Sequence, residues 1–374
     1  MFITFEINQS HSENRKKRFL LRQLCFLTFL FALPMNAAFP QQNETDCYRL
    51  AFWNVENLFD IWDDTTTMDD AFTPEGENHW NMKRYKTKLN HLYQALAALG
   101  ATDSFGLRMP LLIGMAEVEN DKVLRDLCNG TPLRKFRYDF IHYDSPDRRG
   151  IDNALLFRRD LFHPFASCVI SNSDSSEVFF TRDMLQVCGT DNNGDTIIML
   201  VNHFPSKRGG ATADRRRMMA ARRLRTTMDS LSLMYPSAAI VVVGDFNASP
   251  DEAEIAQGIM RHVSDDVTAF VNLMETIAPG RGSYKYQDHW SCIDQIIVSV
   301  NLLDSNSRCP FRCLQDEGQL FEADFMLLDD EKFLGKKIYR TYLGLRYQGG
   351  FSDHLPVYID IVRKKENPAP SGRD

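Results

Sequence analysis

The 374-residue chain lacks the signatures of several large protein classes. Among its 8 cysteines and 9 histidines there is no CxxC pair and no Cys/His spacing of a zinc site, which excludes a thiolate metal centre as a reading. It has no glycine-rich phosphate loop and no serine nucleophile elbow, so nucleotide-loop enzymes and acyl-transfer hydrolases are set aside. Positive charge is not in surplus: 43 Lys and Arg face 50 Asp and Glu, a formal net charge of −7. That argues against a general nucleic-acid coat, although not against a nuclease, because metal ions supply positive charge locally. There is no internal repeat and no low-complexity block. No apolar run is long enough to span a bilayer comfortably.

What is present is an ordinary globular composition, 44% apolar and 25% charged. The N-terminus stands apart. Arg15 to Arg18 form a positive cluster, Leu24 to Leu33 an apolar run broken only by Thr28, and Pro34 with Ala37-Ala38 a small-residue cleavage region. Together they read as a secretory signal peptide over residues 1–38, with an uncleaved anchor as the alternative. A secreted, periplasmic or cell-envelope protein of a bacterium is therefore expected, with no stable membrane span once the signal is removed. Seven cysteines follow the signal; Cys309 and Cys313 are close enough in sequence to pair.

Residues 39–364 read as one domain and 365–374 as a disordered tail. Short β-branched apolar runs alternate with amphipathic stretches. Strands are expected at Leu50–Trp53, Leu111–Met115, Ala154–Phe157, Thr196–Val201, Ala238–Val243, Ile293–Val298 and Leu355–Ile361. Helices are expected at Met82–Leu99 and Ala211–Leu233. This alternation indicates an α/β protein with sheets buried on both faces. The stretch 305–350 reads as a long irregular insertion.

Polar residues recur where these strands stop, a place that holds a side chain rigidly while exposing it in a cleft. They are Asn54 and Glu56 in WNVEN, Glu117 in GMAEVEN, His203 in VNHFPSK, Asp245 and Asn247 in GDFNASP, Asp294 in CIDQIIV, and Asp353 with His354 in FSDHLPV. Each alone has a plainer explanation, such as a turn cap or a first-turn acid at a helix dipole. Joint occurrence favours chemistry. Oxygen ligands without thiolates suit Mg²⁺, with Mn²⁺ or Ca²⁺ as alternatives, and suit hydrolysis of a phosphate ester. The histidines would donate to phosphate oxygens and handle protons.

The ordered set WNVEN, GMAEVEN, NHFPSK, GDFNASP, IDQIIV and SDHLPV resembles the endonuclease/exonuclease/phosphatase superfamily over roughly residues 48–362. The resemblance implies a four-layered α/β sandwich of two packed mixed β-sheets, as in deoxyribonuclease I, acting as a monomer on a phosphate-ester substrate, nucleic acid included. It implies that Glu117 binds the metal with Asn54, Glu56 and Asp353 assisting. By the same likeness, Asp245 readies the attacking water and Asn247, His203 and His354 hold the phosphate. Asp294 orients His354. RGIDNALLFRR departs from the family pattern; Asp152 in it is the candidate partner of His203, and Asn153 a candidate substrate contact. Lys207 and Arg208, just after His203, would reach a substrate phosphate, whereas the arginines from Arg215 to Arg225 read as a solvated helix face. The acidic stretch Asp60 to Asp70 reads as a loop. Phe351 is either a stacking platform or core. Cys292 stands where some relatives carry an arginine or tyrosine.

The function so implied is divalent-metal-dependent hydrolysis by direct attack of water, a nuclease or other phosphodiesterase. The alternatives are a sphingomyelinase-like phospholipid hydrolase, for which Phe321–Leu328 would be the apolar membrane contact, and an inositol- or sugar-phosphate phosphatase. From another class, the rival is a binding protein that kept the fold and lost catalysis.

Overall fold

The computed structural model describes residues 47–101, 108–173, 179–261 and 269–364. The expected signal peptide and tail lie outside these residues.

One sheet contains β1 (Cys47–Leu58), β2 (Leu112–Val118), β3 (Tyr138–His142) and β4 (Asp152–Arg158). The other contains β5 (Phe162–Ile170), β6 (Met184–Asp191), β7 (Thr196–His203), β8 (Ala239–Asp245) and β9 (Phe270–Asn272). β10 (Tyr284–Tyr286) and β11 (His289–Ser291) form a separate hairpin, and β12 (Asp294–Ser299) returns to the second sheet. β13 (Phe311–Cys313), β14 (Gln319–Leu320) and β19 (Val357–Arg363) complete the first. Two hairpins lie between them, β15 (Leu327–Asp329) with β16 (Lys336–Ile338), and β17 (Tyr342–Leu343) with β18 (Arg346–Tyr347). The strand orders are β13-β19-β1-β2-β4-β3 and β5-β6-β7-β8-β12-β9.

Each sheet is mixed and has one parallel pair, β1–β2 and β7–β8. A parallel pair needs a crossover, and each crossover contains a helix: α1 (Met82–Gly100) in the first, α3 (Ala211–Met234) in the second. A shorter helix, α2 (Asp121–Gly130), follows β2. Asn81 starts α1 by accepting from the Lys83 and Arg84 amides. α3 follows Gly209 and Gly210, both with positive φ, which lets the chain turn sharply after β7.

Period-two burial explains the layers. Leu50 and Phe52 point inward to meet Val201, Val241, Val243 and Ile296 of the second sheet. Ala51, Trp53 and Val55 point outward and are covered by Leu92, Leu96 and Leu99 of α1. On the far side Ile198, Leu200, Ile240 and Val242 pack on Ala220, Leu224, Met228 and Leu231 of α3. Three apolar cores between helix, sheet, sheet and helix make a four-layered α/β sandwich. No helix among the described residues is long and apolar enough to cross a membrane.

Two expectations change. The 305–350 stretch is not irregular: it supplies β13 and β14 to the first sheet and forms two hairpins. Its strands have two or three residues, too few for an alternating pattern to be read. Phe321–Leu328 does not form an apolar membrane contact, because Phe321 and Met326 are buried in the core over the first sheet and Phe325 packs on Phe351. Phe351 itself is core, stacked on His91 at 4.5 Å between ring centroids. Cys309 and Cys313 are both buried and not joined.

Candidate active site

The site forms where the parallel strands of both sheets end together. β7 and β8 run in register to their last residues, so Asn202 faces Gly244 and His203 faces Asp245. Gly244 permits this approach: a Cβ there would collide with the Asn202 carbonyl oxygen. β12 runs back from the same place, with Asp294 opposite Asp245. From the first sheet come Asn54 on β1, Glu117 on β2, and His354 just before β19. Four of the eight non-glycine residues with positive φ among the described residues lie at these strand ends: Glu56, Asn57, Glu117 and Asn247. Left-handed backbone at such positions is held by surrounding contacts and re-aims the side chains.

Asp245 is the hub. Its Oδ2 accepts from Asn54 Nδ2 at 3.0 Å and lies 3.7 Å from both His203 Nε2 and His354 Nε2. Its Oδ1 accepts from the Asn247 amide at 2.9 Å. Burial pushes the Asp245 carboxyl up to about 7, against the opposing pull of the His354 charge. Across the cleft, Glu117 Oε2 accepts from the Asn57 amide at 2.9 Å. Glu117 Oε1 is 3.9 Å from both His203 Nε2 and Arg149 Nη2, so it remains open toward the cleft.

The two imidazoles sit in opposite electrical settings. His354 Nδ1 bonds Asp294 Oδ2 at 2.7 Å, and Asp294 Oδ2 also accepts from Ser283 Oγ. Burial disfavours the His354 charge, but Asp294 and Asp245 outweigh it and hold its pKa well above the usual imidazole value. Tyr284 packs against this ring, 4.9 Å between centroids. His203 goes the other way: burial first, then the nearby Arg182, Arg149 and His354 charges, hold it well below the usual value. Its Nδ1 is buried without a hydrogen-bond partner. A neutral ring with its proton on Nε2 faces Glu117 and Asp245 at 3.9 and 3.7 Å, beyond hydrogen-bond reach, which keeps that N–H for a ligand.

Not every expected residue converges here. Asp152 is not the partner of His203. It lies 3.3 Å from His142 Nε2, and it accepts from the Ser145 amide at 2.9 Å. β4 starts one strand further out than Glu117, which places Asp152 beside β3. Asn153 donates to the Asp183 carbonyl at 2.7 Å and so tethers β4 to the segment before β6. Lys207 pairs with Glu252 at 2.6 Å on the surface. Arg208 is exposed, and Tyr284 feels its charge. Glu56 is engaged by the insertion: its oxygens accept from the Thr341 and Tyr342 amides at 2.6 and 3.3 Å. Asp353 Oδ2 pairs with Arg340 at 2.6 Å, while its Oδ1 is 4.0 Å from His354 Nε2.

Arg149, Arg182, Ser283, Tyr284 and Arg340 had no sequence signal of their own. Arg149 opens the RGIDN segment, but nothing in that string distinguishes it from a surface arginine. Arg182 is buried, bonds Asp147 at 3.1 Å and the Phe204 carbonyl at 2.8 Å, and shares that carbonyl with Asn247 Nδ2.

The donors fit a hard divalent cation. Glu117 offers Oε1, Asn54 an amide oxygen that keeps a second lone pair beside the bond it accepts from the Glu56 amide at 3.0 Å, and Asp245 a buried carboxylate with no fixed cation in bonding contact. A second grouping, Asp245, Asp294 and His354, brings ligand-type atoms within 4.8 Å of one another. There the bonds from His354 and Ser283 already occupy Asp294 Oδ2, which makes it an orienting relay.

Known proteins share the family and the fold. Residues 49–363 match the profile of the endonuclease/exonuclease/phosphatase family. No curated protein matches the sequence. Among solved structures, an endonuclease/exonuclease/phosphatase from Bacteroides vulgatus is similar at 16% identity and a TM-score of 0.51, over 85% of this chain and 99% of that one. Humanized D. rerio TDP2 is similar at 16% identity and 0.50, over 84% and 99%. The human Nocturnin catalytic domain with bound sulfate is similar at 15% identity and 0.50, over 86% and 96%. These likenesses show the shared fold, and the profile match covers most of the chain: the protein belongs to the endonuclease/exonuclease/phosphatase family.

Proposed function

We propose that the chain hydrolyses phosphate esters, as a nuclease or other phosphodiesterase, by direct attack of water and without a covalent intermediate. One observation carries this reading: Asp245 Oδ2 lies 3.7 Å from each of two imidazoles and 3.0 Å from Asn54, on rigid strand ends. Glu117 and Asn54 would hold the divalent cation, Mg²⁺ or alternatively Mn²⁺ or Ca²⁺. When bound, it offsets the negative charge of the phosphate and makes a bound water more acidic.

The chain's own groups do the rest. Asp245 accepts the proton of the attacking water, a task suited to a carboxyl raised toward neutrality. His203, neutral, donates through Nε2 to a phosphate oxygen. Asn247 donates as well, since its amide has a second N–H beyond the one given to the Phe204 carbonyl. His354 is cationic and holds the developing charge on phosphorus, with Asp294 fixing its Nδ1–H. A binding protein that lost catalysis has no use for this pair of oppositely set imidazoles. The net charge of −7 supports a confined substrate site over broad nucleic-acid binding. The basic cluster and apolar run of residues 15–33 support export, and we place the enzyme outside the cytoplasm, as a monomer.

The test is a panel of plasmid DNA, RNA, sphingomyelin and inositol phosphates, each with wild type and His354→Ala. Cleavage of a nucleic acid that His354→Ala abolishes is the expected result. Turnover of sphingomyelin or inositol phosphates alone would move the assignment to the phospholipid or phosphatase alternative.

A further inference from the structure

We infer that Arg340, carried into the site by the insertion, stands where a second divalent cation would otherwise sit and is a fixed grip on the substrate phosphate, leaving one metal at Glu117. This rests on the phosphate-ester reading and deepens it.

Glu56 and Asp353 are the two carboxylates that a second metal would use. Both already face fixed cations. Arg340 Nη2 is 2.6 Å from Asp353 Oδ2, and Arg340 Nε is 3.5 Å from Glu56 Oε1. Glu56 in turn accepts from the amides of Thr341 and Tyr342, the two residues after Arg340, so it fixes the backbone that presents the guanidinium. Lys88 of α1 lies buried behind them, donating to Thr341 Oγ1 at 2.7 Å and the Phe351 carbonyl at 2.6 Å. Two carboxylates thus meet two cations, and their charges balance. A divalent ion placed there would face two like-signed neighbours in a poorly solvated setting. Glu117 has no such pairing, since its nearest cation is 3.9 Å away.

The guanidinium is also placed to touch substrate. Its side chain remains about one-third exposed, 32%. Its Nε is buried beside Glu56 Oε1, so the contact with substrate falls to the two Nη nitrogens. The Asp353 it holds lies 4.0 Å from His354 Nε2, and Tyr284, packed on His354, feels the Arg340 charge. A guanidinium presents paired donors in one plane, matched to two oxygens of a phosphate, and unlike a metal it needs no ligand shell of its own.

The experiment titrates Mn²⁺ into the full chain by calorimetry, then inorganic phosphate into the Mn²⁺-loaded protein. The expected result is one Mn²⁺ per wild-type chain, lost in Glu117→Gln, with phosphate binding weakened about tenfold or more in Arg340→Ala. Arg340→Lys keeps the charge beside Asp353 and guards against a folding defect; it too is expected to bind phosphate more weakly, because an ammonium cannot make the two-pronged contact. Two Mn²⁺ per wild-type chain, or unchanged phosphate affinity in both folded variants, overturns the inference alone. A wild-type chain that binds no Mn²⁺ removes the phosphate-ester reading and the inference with it.

Discussion

Asp245 is buried, shared between two imidazoles and bonded to Asn54, and its proton affinity follows from that setting. Asp245→Asn keeps the shape and removes the proton acceptor. It is expected to lower the hydrolysis rate by about 10²–10⁴ with little change in the thermal unfolding midpoint. The pH dependence of kcat/KM follows from the same groups. Asp245 must be ionised, so the rate rises with pH through about 7; a bound cation favours the carboxylate and moves that limb lower. His354 must be protonated, and its raised pKa keeps it so well past the ordinary imidazole value. Asp294→Asn removes the main group raising that pKa, so the descending limb is expected to move to lower pH. A profile identical to wild type would show that the descending limb does not come from His354 of the free enzyme. These residues were legible in the sequence because each borders an apolar run. Asp152 misled for a related reason: it too opens a strand, but one strand too far from the cleft. Arg340 and Tyr284 were not legible, because their position depends on short pairings in the insertion and on the β10–β11 hairpin.

The element that most shapes the site beyond the two sheets is this insertion. Its apolar residues Phe321, Met326, Ile338 and Tyr342 join the core over the first sheet, and Glu56 and Lys88 fasten it from below. Lys88→Met would break two buried charge-assisted hydrogen bonds, to Thr341 Oγ1 and the Phe351 carbonyl, a loss of roughly 3–6 kcal/mol of stability. Burial already holds Lys88 down at about 8 and Glu56 up at about 7, which marks how little solvent either retains. Limited proteolysis of Lys88→Met, read by mass spectrometry, is expected to cut first between 320 and 350. Cleavage spread evenly over the chain would argue against a local fastening. The long helices were legible to within a residue or two, since an amphipathic repeat over 19 or 24 residues leaves little ambiguity. Strand β5 was not, because it is mostly exposed and carries no clean alternation.

At the scale of the whole molecule, two mixed sheets place their parallel pairs back to back, and both pairs end at one edge. The inward alternation of Leu50, Phe52, Val241 and Val243 that builds the central core also fixes where Asn54 and Asp245 emerge, so fold and site share one cause. That cause was visible in the order of the motifs, whereas the layering became evident only from which face of each strand the helices cover. The central claim is that these strand-end groups make one metal-dependent hydrolytic centre. Its most direct test is the initial rate of bis-p-nitrophenyl phosphate hydrolysis by the purified chain, with Mg²⁺, with EDTA, and with Mg²⁺ restored, beside Asp245→Asn. The expected result is turnover that EDTA abolishes, Mg²⁺ restores and Asp245→Asn lacks throughout. Turnover that persists in EDTA, or that Asp245→Asn shares, would contradict it.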